Sequence, residues 1–145
     1  ITEYAGKDAE GFANLVKLAE LLAIPVIEGP SVCSNFPKSH SLHLGFNAGP
    51  YLSQADVVLV AGSKSPWYPP SAGPANATVV VMGDNPIKGQ MVYQNLLADM
   101  YVEGDLTIGL GLLIDALQAS GGGRRRPPPS PAQAERRTGR TDRHS

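Results

Sequence analysis

A single cysteine, Cys33, stands among 145 residues, which excludes an internal disulfide framework and suits a reducing compartment. No apolar run approaches the roughly 20 residues of a membrane-spanning helix. No signal-peptide pattern opens the chain either, so the expectation is a soluble, cytoplasmic protein with no membrane partner. An initiator methionine is also missing. The chain opens at Ile1-Thr2-Glu3-Tyr4, as though inside a strand that was longer in a parent gene, and it reads as a fragment. Arginine is absent from residues 1–120, where five lysines face eleven acidic residues for a net charge of −6. From Gly121 onward seven arginines face two acids, a net +5. The overall formal charge of −1 conceals that split. Without stacking aromatics, the basic remainder would attach to nucleic acid only weakly and in a salt-sensitive way, so nucleic acid is not an expected partner.

Several chemical signatures are missing as well. No G-x-G-x-x-G follows a strand and no G-x-x-x-x-G-K-[ST] occurs. Gly109-Leu110-Gly111 comes nearest, but it lies within an apolar helical stretch. No serine or cysteine sits in a nucleophile elbow. His40 and His43 would share a helix face, yet no carboxylate or cysteine completes a metal set, so they are read as surface or packing histidines. Asn76-Ala77-Thr78 matches a glycosylation sequon that carries no weight outside a secretory context.

What is present is a single-domain core. With 42% hydrophobic residues, the length suffices for one compact unit over residues 1–120. Its centre is the stretch from Ala55 to Asn85. Ala55 to Gly62 and Ala77 to Gly83 are Val-rich runs without polar alternation, as expected of strands buried on both faces of a parallel sheet covered by helices. Ahead of them, Phe12, Leu15, Val16, Ala19 and Leu22 fall at helical spacing within 7–22, with Asp8 and Glu10 near the positive end of that helix. Ile24 to Ile27 reads as the next strand, completing a βαβ unit with the opening segment. Within the long polar connection 31–54, Gly49-Pro50 should open one helical turn at Tyr51-Leu52.

After Pro86, a short helix is expected within 87–97 and a last short strand over 100–105. Thr107 to Leu117 should follow as an apolar helix capped by Asp105. Gly109 and Gly111 cost that helix about 1 kcal/mol each, so close packing onto the sheet is expected there. From Gly121 the triplets of glycine, arginine and proline introduce a tail, 121–145, that cannot bury enough apolar surface to fold. It reads as a disordered, accidental or frame-shifted extension.

In open parallel sheets ligands bind at the carboxyl ends of the strands, which makes Gly62, Ser63, Lys64, Trp67, Gly83, Asp84 and Asn85 the candidate nucleotide-binding residues. Lys64 can meet a phosphate and Trp67 can stack on a base. Alternatively, Trp67 and Tyr68 cover the sheet end or pack against another domain, which is the favoured reading for aromatics on a proline-stiffened loop. Asp84 and Asn85 either hydrogen-bond a ribose or make the turn that Pro86 continues, and the turn is preferred.

Three segments together resemble the central domain of thiamine-diphosphate-dependent enzymes of the acetolactate synthase type. Phe36 to Gly45 is similar to the family's F-P-x-x-H-P-L-H-L-G stretch, with Ser41 in place of proline. Ala55 to Gly62 is similar to its A-D-x-x-L-x-x-G strand, and Gly83-Asp84-Asn85-Pro86 to the turn after the next strand. The resemblance covers residues 1 to 119. It implies an α/β fold: a six-stranded, Rossmann-like parallel sheet with helices on both faces, between two domains not contained here. Those pyrimidine-binding and diphosphate-binding domains hold thiamine diphosphate and magnesium in the family, and the motifs that do so have no counterpart in this chain. A homo-oligomeric parent acting on a 2-oxo acid is implied, with this chain inactive alone. Flavin-carrying members place a G-x-R-F-D-D-R-like loop after the Val-rich strand. Gly62 to Tyr68 has lost the arginine and both acidic positions, which implies a flavin-free relative. A free-standing module binding ADP or flavin nucleotides is the alternative.

Overall fold

A computed structural model of the chain describes residues 1–31, 33–87 and 97–121. The expected helix within 87–97 falls mostly outside these residues, as does the basic tail beyond Gly121.

The architecture is α/β. Three strands, β1 (Val57–Ala61), β2 (Thr78–Gly83) and β3 (Met100–Glu103), form a parallel sheet in that order. Three further segments extend it beyond β1 through single parallel bridges. Thr2 pairs with Ala61 of β1 and with Glu28, and Val26 pairs with His43. Ladder hydrogen bonds accompany these bridges, among them Thr2 N–H to the Ile27 carbonyl at 3.1 Å and Leu44 N–H to the Val26 carbonyl at 2.9 Å. Among the described residues six parallel segments therefore lie side by side. Numbered along the chain, their spatial order is third, second, first, fourth, fifth, sixth, the Rossmann-like doubly wound arrangement.

The apolar run at Ile24 to Ile27 makes single bridges rather than a regular strand. Pro25 has no N–H to donate to a ladder, which limits pairing on that segment. The opening segment is cut short by the 3-10 turn Ala5–Lys7.

Helices cover both faces unequally. On one face lie α1 (Ala9–Leu22) and α3 (Leu106–Ala119), packed on each other. Leu15, Leu18, Leu110 and Ile114 meet Ala61 and Met82 there in a buried cluster. The single turn α2 (Gly49–Leu52) covers the other face, where Leu52 joins Val58, Val60, Val79 and Val81. Alternate β1 residues thus enter different cores, which is why the run shows no polar alternation. Each fully buried side chain of this kind contributes about 1.5–3 kcal/mol.

The caps follow local chemistry. Asp8 accepts a hydrogen bond from Gly11 N–H at the start of α1, and Asp105 accepts one from Ile108 N–H at the start of α3. α1 ends on Ala23 in the left-handed region, φ 51°, so that Ile24 N–H can return to the Ala19 carbonyl at 3.1 Å. The two glycines of α3 have different neighbours. A Cβ on Gly109 would lie 3.1 Å from Sδ of Met82, on the sheet, whereas one on Gly111 would face Asn14 of α1 at 3.5 Å. Close packing on the sheet explains only the first.

Candidate functional site

The first and fourth segments are neighbours in the sheet, and the chain winds away from them in opposite directions. Their carboxyl ends therefore define the switch point at which an open α/β sheet holds its ligand. Glu3 ends the first segment, and Gly62 to Ser65 follow the fourth.

The structure fills that position from within. Glu3 is only 4% exposed. Its Oε2 accepts hydrogen bonds from the Ser63 hydroxyl, from Lys64 N–H and, at 3.1 Å, from Ser65 N–H. Two successive backbone amides and a hydroxyl aimed at one oxygen form an anion-binding concavity. The loop is drawn in further by Glu3 N–H and Tyr4 N–H, which donate to the Gly62 carbonyl at 2.8 and 3.0 Å. Gly62 adopts φ 62°, and a Cβ there would lie 2.6 Å from Cδ2 of Leu106. Both facts call for glycine.

The candidate residues fall into two groups. Gly62, Ser63 and Lys64 come together beside Glu3, and Gly83 neighbours Gly62. Gly62 N–H donates to the Met82 carbonyl at 3.0 Å, and a Cβ on Gly83 would lie 4.0 Å from Cα of Gly62. Lys64 extends its ammonium over the Tyr4 ring, 5.4 Å from the centroid. Asp84 and Asn85 are exposed, followed by buried Pro86.

Trp67 belongs elsewhere. Half-buried against the α2 face of the core, its indole lies over Gly73, where a Cβ would sit 2.6 Å from Nε1. It lines a cleft of about 170 Å³ with Ile27, Glu28, Gly29, Phe46, Leu52 and Ser65. Sites for drug-sized ligands run to about 300–1,000 Å³, so this cleft is small for a nucleotide. Tyr68 follows, 70% exposed, and precedes a cis peptide bond to Pro69.

Glu28, at the end of the second segment, organises a second polar cluster. It is 1% exposed and accepts from Asn35 N–H at 2.8 Å, from the Lys38 ammonium and from His43 Nε2 at 2.9 Å. Burial pushes its carboxyl up, but hydrogen bonds from Lys38, the Asn35 amide and His43, aided by the charge of Lys38, hold it below the usual glutamate range. Since an ionised carboxylate only accepts, His43 carries its proton on Nε2. With its oxygens occupied, Glu28 is a poor proton acceptor and acts as an anchor for the Phe36 to Gly45 stretch.

The two histidines turn to different carboxylates: His40 Nε2 lies 2.9 Å from Oε1 of Glu20, while its Nδ1 accepts from Leu42 N–H at 3.1 Å. Both rings flank fully buried Phe36, with centroids at 5.0 and 6.4 Å. Among the described residues no three His, Cys, Asp or Glu side chains converge as metal ligands.

Glu3 and Glu28 were not among the sequence candidates. A signal existed for Glu28 alone: it is a lone carboxylate at the end of the apolar run Ile24 to Ile27, where an acid needs a partner in order to be buried. No family model, no curated protein and no solved structure matches the chain.

Proposed function

We propose that this chain is the central, mainly structural domain of a thiamine-diphosphate-dependent enzyme acting on 2-oxo acids, of the acetolactate synthase type. The motif resemblance at residues 36–45, 55–62 and 83–86 supports the family. The observation that carries the scaffold role is Glu3 at the switch point. The position where such a sheet holds a ligand is occupied by the chain's own carboxylate, as suits a flavin-free member whose central domain ties other domains together.

The donor sets present do not fit the cofactors of such a parent. The converging amides at Ser63 to Ser65 already bind Glu3, and the described residues form no cation site. In this reading thiamine diphosphate and magnesium belong to the pyrimidine-binding and diphosphate-binding domains of the parent, as the motif resemblance implies, and activity requires those domains. Exposed apolar side chains on α3 and β3, Ile108, Leu112 and Met100 among them, support contacts with those domains or with further copies in a homo-oligomer. The alternative module for ADP or flavin nucleotides draws support from the segment order, which is that of dinucleotide-binding sheets.

Sequencing the DNA on both sides of the reading frame tests the proposal. In-frame or singly frame-shifted flanks that encode a domain with a catalytic glutamate and one with a G-D-G through N-N segment are expected. A bounded frame with neither flank overturns it. Calorimetry with ADP and flavin nucleotides tests the alternative, which fails if millimolar ligand gives no heat.

A further inference from the structure

We propose that Ser63, Lys64 and Ser65 form a carboxylate-binding cradle, and that Glu3 is its resident ligand, closing the switch-point crevice to oxyanions from solution. The proposal is independent of the parent enzyme, because it concerns how this fold uses its own ligand position.

Three features carry it. The donors converge on a single oxygen, Oε2 of Glu3, from one hydroxyl and two consecutive backbone amides. Consecutive amides can aim at one point only when the backbone is bent to do so, which is how phosphate and carboxylate concavities are built. Next, the side chain reaches the cradle past a glycine. A Cβ on Gly29 would lie 2.7 Å from Cγ of Glu3 and 3.1 Å from Cδ, so the loop after the second segment leaves a channel the width of this side chain. Last, the occupant is buried and comes from the opening segment, which pairs directly with β1. An anion from solution can take the same donors only if Glu3 withdraws. The residue therefore does what a ligand's oxyanion does in a binding sheet, and it sets the specificity of the crevice by filling it.

Deleting the side chain beyond Cβ removes four heavy atoms, Cγ, Cδ and two oxygens, which are together the heavy atoms of acetate. In the full chain carrying Glu3→Ala, acetate should rebind where those atoms were. The thermal midpoint of Glu3→Ala is expected to rise by about 4 °C or more in 200 mM acetate relative to chloride at equal ionic strength, as mass action on the folded state requires for a site of roughly 10 mM affinity. The wild-type midpoint should not distinguish the two salts. Inorganic phosphate forms a separate arm. A larger response to phosphate than to acetate would overturn the assignment of carboxylate as the ligand class. Adding Ser63→Ala to Glu3→Ala should reduce the acetate response, and an undiminished response would place the anion elsewhere and overturn the proposal. If Glu3→Ala does not fold in chloride, refolding yield replaces the midpoint. Recovery in acetate alone supports the cradle, and equal failure in both salts overturns it.

Discussion

Glu3 lies across Gly29 so closely that a single methyl group on Gly29 would come within 2.7 Å of the Cγ of Glu3. Gly29 N–H also donates to the Thr2 carbonyl at 2.8 Å, so the backbone has little freedom to retreat. Gly29→Ala is therefore expected to destabilise the protein by about 2 kcal/mol, in the range of overpacked core substitutions. In a Glu3→Ala background the same change should cost markedly less. Urea denaturation of the four proteins gives the coupling, and additivity would show that Gly29 serves some other constraint.

Acid should act on the Glu28 cluster. Its folded-state carboxyl lies below its ordinary value of 4.5, so the unfolded chain binds the proton more readily than the folded one. The associated stability is present above about pH 4.5 and is lost as pH falls from there through the lowered folded value. Asp8, also held below its ordinary value by Gly11 N–H and Thr107, loses its contribution in the same acid range, so the diagnostic is a difference. Urea midpoints of wild type and Glu28→Gln should converge between pH 7 and pH 3. A constant gap would mean that the ionised cluster adds nothing.

Removing the Glu28 carboxylate outright leaves His43 and the Asn35 amide facing a void in the interior. Glu28→Ala is expected to cost about 3 kcal/mol, as when one partner of a buried pair is deleted. Amide hydrogen exchange should show the loss centred on 35–45. A uniform loss across the sheet would mean that the stretch is not anchored locally.

Ala23 occupies a left-handed conformation, φ 51°, that costs a residue with a Cβ about 1–2 kcal/mol. Glycine removes that cost while adding some entropy to the unfolded chain. Ala23→Gly should accordingly stabilise the protein by about 0.5 kcal/mol, read as a higher urea midpoint. A lower midpoint would mean that the surrounding contacts hold Ala23 without strain.

Trp67 is the single tryptophan of the chain, so its emission reports on the proline-rich loop alone. Gly73→Ala should drive the indole outward and shift its emission to longer wavelength, because the added Cβ would sit 2.6 Å from Nε1. An unchanged spectrum would show that the loop relaxes with the ring in place. On α3, Ile108 and Leu112 are each 64% exposed, one helical turn apart on one face. The isolated chain should bind a hydrophobic dye, and Ile108→Glu with Leu112→Lys should lower the signal. A monodisperse, dye-silent wild-type monomer would count against the scaffold proposal.

The local elements were legible because their causes are local. The uninterrupted runs at β1 and β2 required burial on both faces, Gly49-Pro50 opened α2, and Asp105 capped α3 as its position before an apolar helix implied. Candidate residues were legible as positions, since glycine-led loops after Val-rich strands mark the carboxyl edge of a parallel sheet. Their partners were not. Ser63 is a candidate nucleotide-binding residue by its place after a strand, yet its hydroxyl meets Glu3, sixty residues away in the chain. Trp67 follows Lys64 closely and is a ligand candidate beside it, with packing over the sheet end the favoured reading; the loop carries it onto the core, at the cleft beside Gly29 and Phe46.

The sequence by itself determined an α/β unit with two Val-rich parallel strands, two helices and glycine-led loops at one edge, because apolar pattern, caps and turns act within a few residues. Tertiary structure alone decided which carboxylate meets which donors, that Glu3 closes the switch point and that Glu28 anchors Phe36 to Gly45. Those choices depend on segment order in the sheet. That order sets Thr2 between Glu28 and Ala61, and a buried charge takes whichever donors the neighbouring segments bring within reach.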